Sequence, residues 1–347
     1  MKRTVLFTVL CFLAAVSGFA QADLQPAAIV NLVRTEPITV RQLRVEVERL
    51  QTANGRVLTQ AERVQVLDLM INERLALQAA ERDRVTITEN EVNQQMQQFR
   101  NNMAQQIGRQ PTDAEFSQAV FQQSGLDLTA FREETRKQMI VQKYLLARKG
   151  ELINSARVPT DEEIVNEYNL LRSNLVRPET IRFSMIQVPY GSDAASRARA
   201  RELANRLFQE IGSNPSKFDE VAARSVAPNS GYQAGDAGFL PRNQEASSVV
   251  GPEFINVAFG LRQGEVSRLI EGVQGFQIIK ITENYALRNL ELDDIFQLGS
   301  RVTVREYIGQ ALYSQRQQAV LAQASQELVT ELRAGRSFQV FENNLNW

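Results

Sequence analysis

The sequence predicts a mostly α-helical domain, built from both ends of the chain, into which an α+β domain is inserted. Three observations support this fold class. Capped amphipathic helices fill the N-terminal half, strands and glycines begin near residue 178, and a long helix with an apolar stripe follows at the C-terminal end. The chain has 347 residues, which exceeds what one hydrophobic core normally supports, so at least two domains are expected.

The first residues indicate export. Lys2 and Arg3 precede an apolar run that reaches Ala15, and Ala20-Gln21-Ala22 supplies the small residues that signal peptidase reads. We therefore expect residues 1–22 to be a signal peptide cleaved after Ala22, which places the mature chain in the periplasm. A retained N-terminal anchor is the alternative. No later run reaches the roughly 18 apolar residues of a transmembrane helix, so no integral membrane segment is expected in the mature chain.

The composition excludes several kinds of chemistry. The chain contains no histidine, which rules out histidine-dependent acid–base catalysis and histidine metal sites. Its single cysteine, Cys11, lies within the predicted signal peptide, so no disulfide is expected after cleavage. The net charge of −1 argues against nucleic acid as a partner, because phosphate contacts require a clustered basic surface. We expect no metal and no cofactor.

The N-terminal half is predicted to be helical from its capping signals. A Thr followed three residues later by Glu allows the hydroxyl and the carboxylate to satisfy two free backbone amides reciprocally. This signature recurs at Thr59/Glu62, Thr88/Glu91, Thr112/Glu115 and Thr160/Glu163. After Thr59, helical spacing places four apolar residues on one face: Val64, Leu67, Ile71 and Leu75. We also predict a strand over 27–34, a helix from Thr39 and a helix over 127–154.

The middle of the chain has the pattern of an α+β domain. Pro178 disfavours helix in the residue before it and marks a plausible boundary. A strand is predicted over 181–188, followed by helices over 194–211 and 216–225. Glycines at 231, 235 and 238 predict a loop, and a final strand is predicted over 277–281.

The C-terminal segment predicts one long helix. Thr303/Glu306 repeats the capping signature, the helix is expected to run to about Arg333, and a short strand is predicted over 338–341. Its apolar stripe comprises Val304, Ile308, Leu312, Leu321, Leu328 and Leu332. A lone helix would leave this stripe in water, so we expect it to pack on the N-terminal helices. The predicted boundaries are 1–22 (signal peptide), 23–177 (helical domain), 178–285 (α+β domain) and 286–347 (returning helix and strand).

The middle domain contains five short motifs in succession, namely Phe218-x-x-Val221-Ala222-x-x-Ser225, Gly235-Asp236-Ala237-Gly238-Phe239, Pro252-Glu253-Phe254, Ala258-Phe259-x-Leu261-x-x-Gly264-Glu265-Val266-Ser267 and Gly275-Phe276-Gln277-Ile278-Ile279-Lys280-Ile281. In this order they resemble the pattern of a parvulin-type prolyl isomerase. The whole chain is similar to the SurA and PrsA family of envelope folding factors, since Ala27-x-Ile29-Val30-Asn31 and a helix near Thr39 match their N-terminal start. The resemblance implies a mostly α N-terminal/C-terminal chaperone domain with an inserted α+β parvulin-like domain.

The departures from the parvulin pattern concern the polar residues of its catalytic site. Met185 and Gln277 stand where active members of the family usually carry histidines, and Ala227 stands where a Cys or Asp is expected. The apolar wall is better retained, with Phe239, Val250 and Phe254. We therefore predict a peptide-binding surface formed by Met185, Phe239, Val250, Phe254 and Gln277, without a complete catalytic set.

Three functions remain open on the sequence alone. Losing one buried hydrogen-bonding partner costs on the order of 1–3 kcal/mol, and about 1.36 kcal/mol corresponds to tenfold in rate, so three replaced positions predict weak or no isomerase activity. The favoured function is a holdase chaperone that binds unfolded polypeptides, with outer-membrane proteins as the clients that the resemblance implies. The alternatives are an active parvulin-type prolyl isomerase and a structural envelope protein that reuses the fold.

Overall fold

The computed structural model describes residues 24–345, so the predicted signal peptide lies outside the described residues. In chain order the elements are β1 (Pro26–Asn31), β2 (Thr35–Thr39), α1 (Val40–Asn54), α2 (Gln60–Arg82), α3 (Glu89–Ile107), α4 (Asp113–Ser124), α5 (Leu128–Ile153), α6 (Asp161–Leu171), β3 (Val176–Arg177), β4 (Thr180–Pro189), α7 (Ala194–Ile211), α8 (Pro215–Ala223), β5 (Gln233–Pro241), α9 (Gln244–Val250), α10 (Pro252–Ala258), β6 (Ile270–Glu271), β7 (Gly275–Tyr285), β8 (Arg288–Asn289), α11 (Val304–Ala334) and β9 (Phe338–Val340). Short 3-10 turns follow α8 and β9.

The chain folds into two compact units. Within the described residues, the first unit comprises 24–156 and 316–345, and the second is Arg157–Gln315. The predicted fold class, a mostly helical domain made from both chain ends with an α+β insert, is confirmed. The boundaries proposed at 177 and 285 stay predictions, because the compact second unit also includes α6 and the beginning of α11.

The first unit joins the two ends of the chain through a small sheet. Its antiparallel strands are ordered β2-β1-β9, with Ile29 opposite Pro37 on one side and Gln339 on the other. Helices α1 and α2 cover this sheet, and the shared core includes fully or almost fully buried residues from each element: Val30, Ile38, Leu43, Leu67, Ile71 and Leu75. Residues near the chain's C-terminus thus complete a core begun at its N-terminal strands.

The predicted helix starts are present in the structure. In all four Thr/Glu capping boxes the Thr hydroxyl accepts from the Glu backbone amide, and the Glu carboxylate accepts from the Thr amide. The pair Thr303/Glu306 makes the same reciprocal bonds before α11. Two members of the predicted apolar stripes were placed wrongly, since Val64 is 38% exposed and Leu321 is 46% exposed.

The second unit contains a four-stranded antiparallel sheet ordered β5-β4-β7-β6. Helices α7 and α8 pack on one face, in a core with Ile186 and Ile278, and helices α9 and α10 pack on the other, with Phe183 and Ile279. The predicted glycine-rich loop is wrong in part, because residues 233–241 form strand β5. Gly238 lies in this strand at φ +81°, next to an irregularity in the pairing of β5 with β4. The glycine permits this local distortion of the strand, and for that reason the sequence pattern resembled a loop.

The sequence predicts no membrane-spanning segment after the signal peptide. Across residues 24–345, no helix combines the length and the apolar character required to cross a bilayer.

Candidate functional site

The residues at the family's polar positions lie on different parts of the second unit. Met185 is on the central strand β4, opposite Gly235 of β5 and Ile279 of β7. Gln277 is on β7, two residues before Ile279, so its side chain points to the same face of the sheet as that of Met185. Ala227 follows the 3-10 turn after α8 and is exposed. None of these three positions has the histidine, cysteine or aspartate that the family usually carries there, and Gln277 is the only one with a polar side chain.

The apolar wall is present but filled by the chain itself. Phe254 on α10 is 2% exposed, and its ring meets that of Phe183 at 5.5 Å in an edge-on arrangement. Met185 and Val250 are partly buried against the same cluster. The structure therefore brings Met185, Val250 and Phe254 together, and it leaves almost none of the Phe254 ring accessible to a ligand.

Phe239 lies away from that cluster. It is paired with Arg182 across β5 and β4, whereas its neighbour Leu240 points to the Phe254 side of the sheet. The guanidinium of Arg182 lies 5.2 Å above the Phe239 ring, and the Tyr285 ring lies 6.0 Å away. The predicted set of five peptide-binding residues is thus divided between the two faces of the sheet.

Gln277 has a buried polar atom without a partner. Its side-chain Oε1 is inaccessible to solvent and accepts no hydrogen bond within residues 24–345. The atom lies against Gly272, where an added Cβ would come within 2.4 Å of it. The glycine therefore makes room for the Gln277 amide, which keeps an unused acceptor at a position where the family usually has a histidine.

The sequence reasoning missed an open groove on the first unit. This α1–α2–α5 groove has a volume of about 740 Å³ and lies between α1, α2 and α5. Its apolar lining comprises Val45, Leu50, Val66, Leu69, Met70, Leu126 and Phe131. Val45 is 59% exposed and Leu69 is 65% exposed. The sequence contained one signal for this groove: Val45 and Leu69 are apolar residues that lie outside the buried faces of α1 and α2.

A second groove on the first unit lies between α2, α5 and α11. This α2–α5–α11 groove has a volume of about 360 Å³, and its apolar lining comprises Ala76, Val141, Leu145, Leu328, Val329 and Leu332. Glu73, Glu134 and Gln138 line both grooves. Burial and the neighbouring Glu134 carboxylate raise the pKa of Glu73 above its ordinary value.

Comparison with known families shows which domains this chain is similar to. The family model of the PPIC-type PPIase domain matches residues 183–283, and the model of the SurA-like N-terminal domain matches residues 1–145. These matches agree with the resemblance to SurA-like folding factors with a parvulin domain that the sequence predicted.

Several relatives found by sequence are named Chaperone SurA. One, from Saccharophagus degradans, is 27% identical over 296 residues, which cover 82% of this chain and 64% of the relative. Another, from Alcanivorax borkumensis, is 30% identical over 230 residues, which cover 64% of this chain and 47% of the relative. The chain thus spans about half to two thirds of the length of these relatives. A solved chain from work on two SurA-like chaperones of Campylobacter jejuni covers 91% of this chain and 100% of its own at 13% identity, with a TM-score of 0.39.

Proposed function

We propose that the chain is a periplasmic folding factor that holds unfolded polypeptides and releases them without chemical turnover. One observation carries the proposal, namely the open α1–α2–α5 groove on the SurA-like unit. Its volume of about 740 Å³ is in the range of pockets that hold organic ligands, and its lining is largely apolar. An unfolded polypeptide exposes apolar side chains that such a groove can cover.

The side chains of the groove suit binding without strict sequence selection. Met70 is unbranched and adapts to different partners, while Phe131 offers a large apolar ring. Charged residues such as Arg41 and Lys137 line the same groove. Binding energy would come from apolar area removed from water at about 25 cal/mol per Å², with the charged side chains adding orientation.

The parvulin domain is proposed to contribute peptide contacts or structure more than catalysis. A prolyl isomerase must stabilise a twisted amide against a barrier of about 18–20 kcal/mol. Met185 and Ala227 have no side-chain group for this task, and the buried Phe254 offers little surface to a proline. We retain Met185, Phe239, Val250, Phe254 and Gln277 as the proposed peptide-binding residues, with Phe239 on the opposite face of the sheet and Phe254 supporting Met185 and Val250 from within the core.

Isomerase activity is the second candidate function, and one observation favours it. The unused Oε1 acceptor of Gln277 lies on the Met185 face of the sheet, where it could interact with a bound peptide after a small displacement. An amide both donates and accepts hydrogen bonds, so it can replace part of the function of a histidine.

The place of action and the clients are part of the same proposal. The predicted signal peptide, cleaved after Ala22, would deliver the chain to the periplasm. Outer-membrane proteins are the proposed clients, because they must cross this compartment unfolded and the relatives are named Chaperone SurA.

The test measures aggregation suppression and prolyl isomerisation on one preparation of the mature chain. We expect the protein to keep an unfolded outer-membrane protein soluble at roughly stoichiometric ratios, and to leave a proline-limited refolding rate nearly unchanged at catalytic ratios. Replacing residues 178–285 by a short linker should preserve the holding activity. Rapid isomerisation by the wild-type chain at catalytic ratios, lost in a Gln277→Leu variant that remains folded, would establish the second candidate instead.

A point variant connects the activity to the groove. Leu69→Ser removes an exposed apolar side chain from the α1–α2–α5 groove, while the control Leu146→Ser removes one from α5 outside it; the two leucines are 65% and 55% exposed. Removing part of a contact whose full burial gives about 1.5–3 kcal/mol should weaken client binding about fivefold. Equal effects of the two variants, or failure of the wild-type chain to hold any client, would contradict the proposal.

A further inference from the structure

The α2–α5–α11 groove has an unusual charge distribution for so apolar a surface. Only two of its lining residues are charged, and both are acidic: Glu73 from α2 and Glu134 from α5. The Glu134 carboxylate accepts from Lys137 Nζ at 3.3 Å. Glu73 differs, because within residues 24–345 its carboxylate takes part in no hydrogen bond and no ion pair.

The position of Glu73 has a cost for the free protein. Partial burial and the Glu134 carboxylate raise the pKa of Glu73, and the cations Arg74 and Lys137 offset this effect in part. A carboxylate held in such surroundings destabilises the folded chain until a cation approaches it. Among residues 24–345, no lysine or arginine lines this groove, so the groove itself supplies no such cation.

Glu73 also lies where the two grooves meet. Glu73, Glu134 and Gln138 line both the α2–α5–α11 groove and the α1–α2–α5 groove, and both grooves belong to the first unit. An extended polypeptide that occupied both would pass the Glu73 carboxylate between two apolar contacts. The arrangement complements a segment in which apolar residues flank a basic one.

We propose that the α2–α5–α11 groove binds an apolar side chain of an unfolded polypeptide next to a lysine or arginine whose cation pairs with Glu73. The inference rests on the proposed holdase function and adds the chemical class of segment that is bound. A volume of about 360 Å³ suits one large side chain and part of its neighbour. A metal ion is a poor alternative, because the described residues contain no group of three or more His, Cys, Asp or Glu side chains placed to hold one.

The test compares three capped decapeptides on the mature chain by competition fluorescence. The central residue, between apolar neighbours, is lysine, norleucine or glutamate. We expect the lysine peptide to bind about five- to tenfold more tightly than the norleucine peptide at low salt, and the glutamate peptide to bind most weakly. Glu73→Gln should remove the preference for lysine over norleucine, whereas the control Glu151→Gln, which changes an exposed residue of α5 outside the groove, should retain it.

Two further measurements separate a binding effect from a folding effect. The preference for lysine should decrease as the salt concentration rises, because screening weakens a partly exposed ion pair. Val329→Trp should fill the groove and weaken all three peptides by a similar factor. An unchanged preference in a folded Glu73→Gln variant, or no preference in the wild type, would overturn the inference. If the wild type still suppresses aggregation in that case, the holdase proposal stands; if it holds no client, the proposed function itself fails.

Discussion

Replacing Gln78 should loosen the turn between the first two strands. Gln78 on α2 is 0% exposed, and its Oε1 accepts from the backbone amides of Leu32, Val33 and Arg34 at 3.1, 2.9 and 3.3 Å. Its Nε2 donates to Glu36 at 3.1 Å. One buried side chain thus fixes the β1–β2 turn to a helix 44 to 46 residues further along the chain.

The magnitude follows from the donors that would lose their acceptor. Gln78→Leu keeps a similar volume but leaves three backbone amides and one carboxylate oxygen without this partner. Each net hydrogen bond contributes about 0.5–1.5 kcal/mol, and the longest of the three is the weakest. Water can reach part of this turn, since Val33 is 46% exposed. We therefore expect a loss of about 2–4 kcal/mol in the free energy of unfolding of the first unit.

Urea unfolding followed by far-UV circular dichroism measures the loss, and hydrogen exchange at residues 32–34 locates it. The amides of these residues should exchange faster in Gln78→Leu than in wild type, while Gln65→Leu, at an exposed position of the same helix, should leave them unchanged. A destabilisation below about 1 kcal/mol, or unchanged protection of the three amides, would refute the reasoning.

Three further predictions concern a buried ring, the capping carboxylates and Glu73. Because the Phe254 ring is a core residue, Phe254→Ala should lower the stability of the second unit by about 3–5 kcal/mol, measured as a lower Tm. In a proline-limited refolding assay, the substrate should refold at the same rate with this variant as with the wild-type chain. Hydrogen bonds from an arginine and then from the capping Thr lower the pKa of Glu62 and of Glu115 from 4.5 to about 2, and hydrogen bonds from the capping Thr and then from a lysine lower the pKa of Glu91 to about 2. Their stabilisation is therefore complete above pH 4.5 and lost as pH falls towards 2, and the triple Glu→Gln variant should flatten the acid loss of helicity in that range. Burial raises the pKa of Glu73, so its charge costs stability at neutral pH; Glu73→Gln should raise Tm at pH 7, with the gain vanishing below pH 4.5, and an unchanged Tm at pH 7 would contradict this.

Local interactions explain why the helix starts could be predicted from the sequence. A capping box is complete within four residues, so the sequence contains every group that takes part in it. Thr39 is an instructive case, because it begins α1 with Gln42 in place of the usual Glu, and the amide makes the same reciprocal bonds. The apolar stripes were less reliable, since helical spacing cannot tell which edge of a stripe another element will cover.

Strand pairing explains the parts of the candidate site that could not be predicted. The family pattern groups Phe239 with Phe254, yet the pairing of Phe239 with Arg182 directs its ring to the other face of the sheet. Irregularities in the pairing of β4 with both neighbouring strands occur next to this point, and one extra residue in a strand reverses the face of the side chains beyond it. The position of such a bulge depends on long-range partners that no short motif contains.

The ends of the α+β insert indicate how one chain can combine the two kinds of unit. Strands β3 and β8 pair antiparallel, with Val176 opposite Asn289 and Arg177 opposite Arg288, immediately outside the segment 178–285. Beyond this pair, a separate apolar cluster on α6, α11 and the adjoining segments includes Ile164, Tyr168, Leu175, Leu290, Val304 and Ile308. All of these residues lie outside 178–285, and the Tyr168 hydroxyl donates to the Leu290 carbonyl at 3.1 Å. A short ladder and a small core therefore hold the two ends of the insert together. The domain between them can therefore vary in sequence, including at the positions predicted to correspond to the parvulin catalytic site, with little effect on the packing of this cluster.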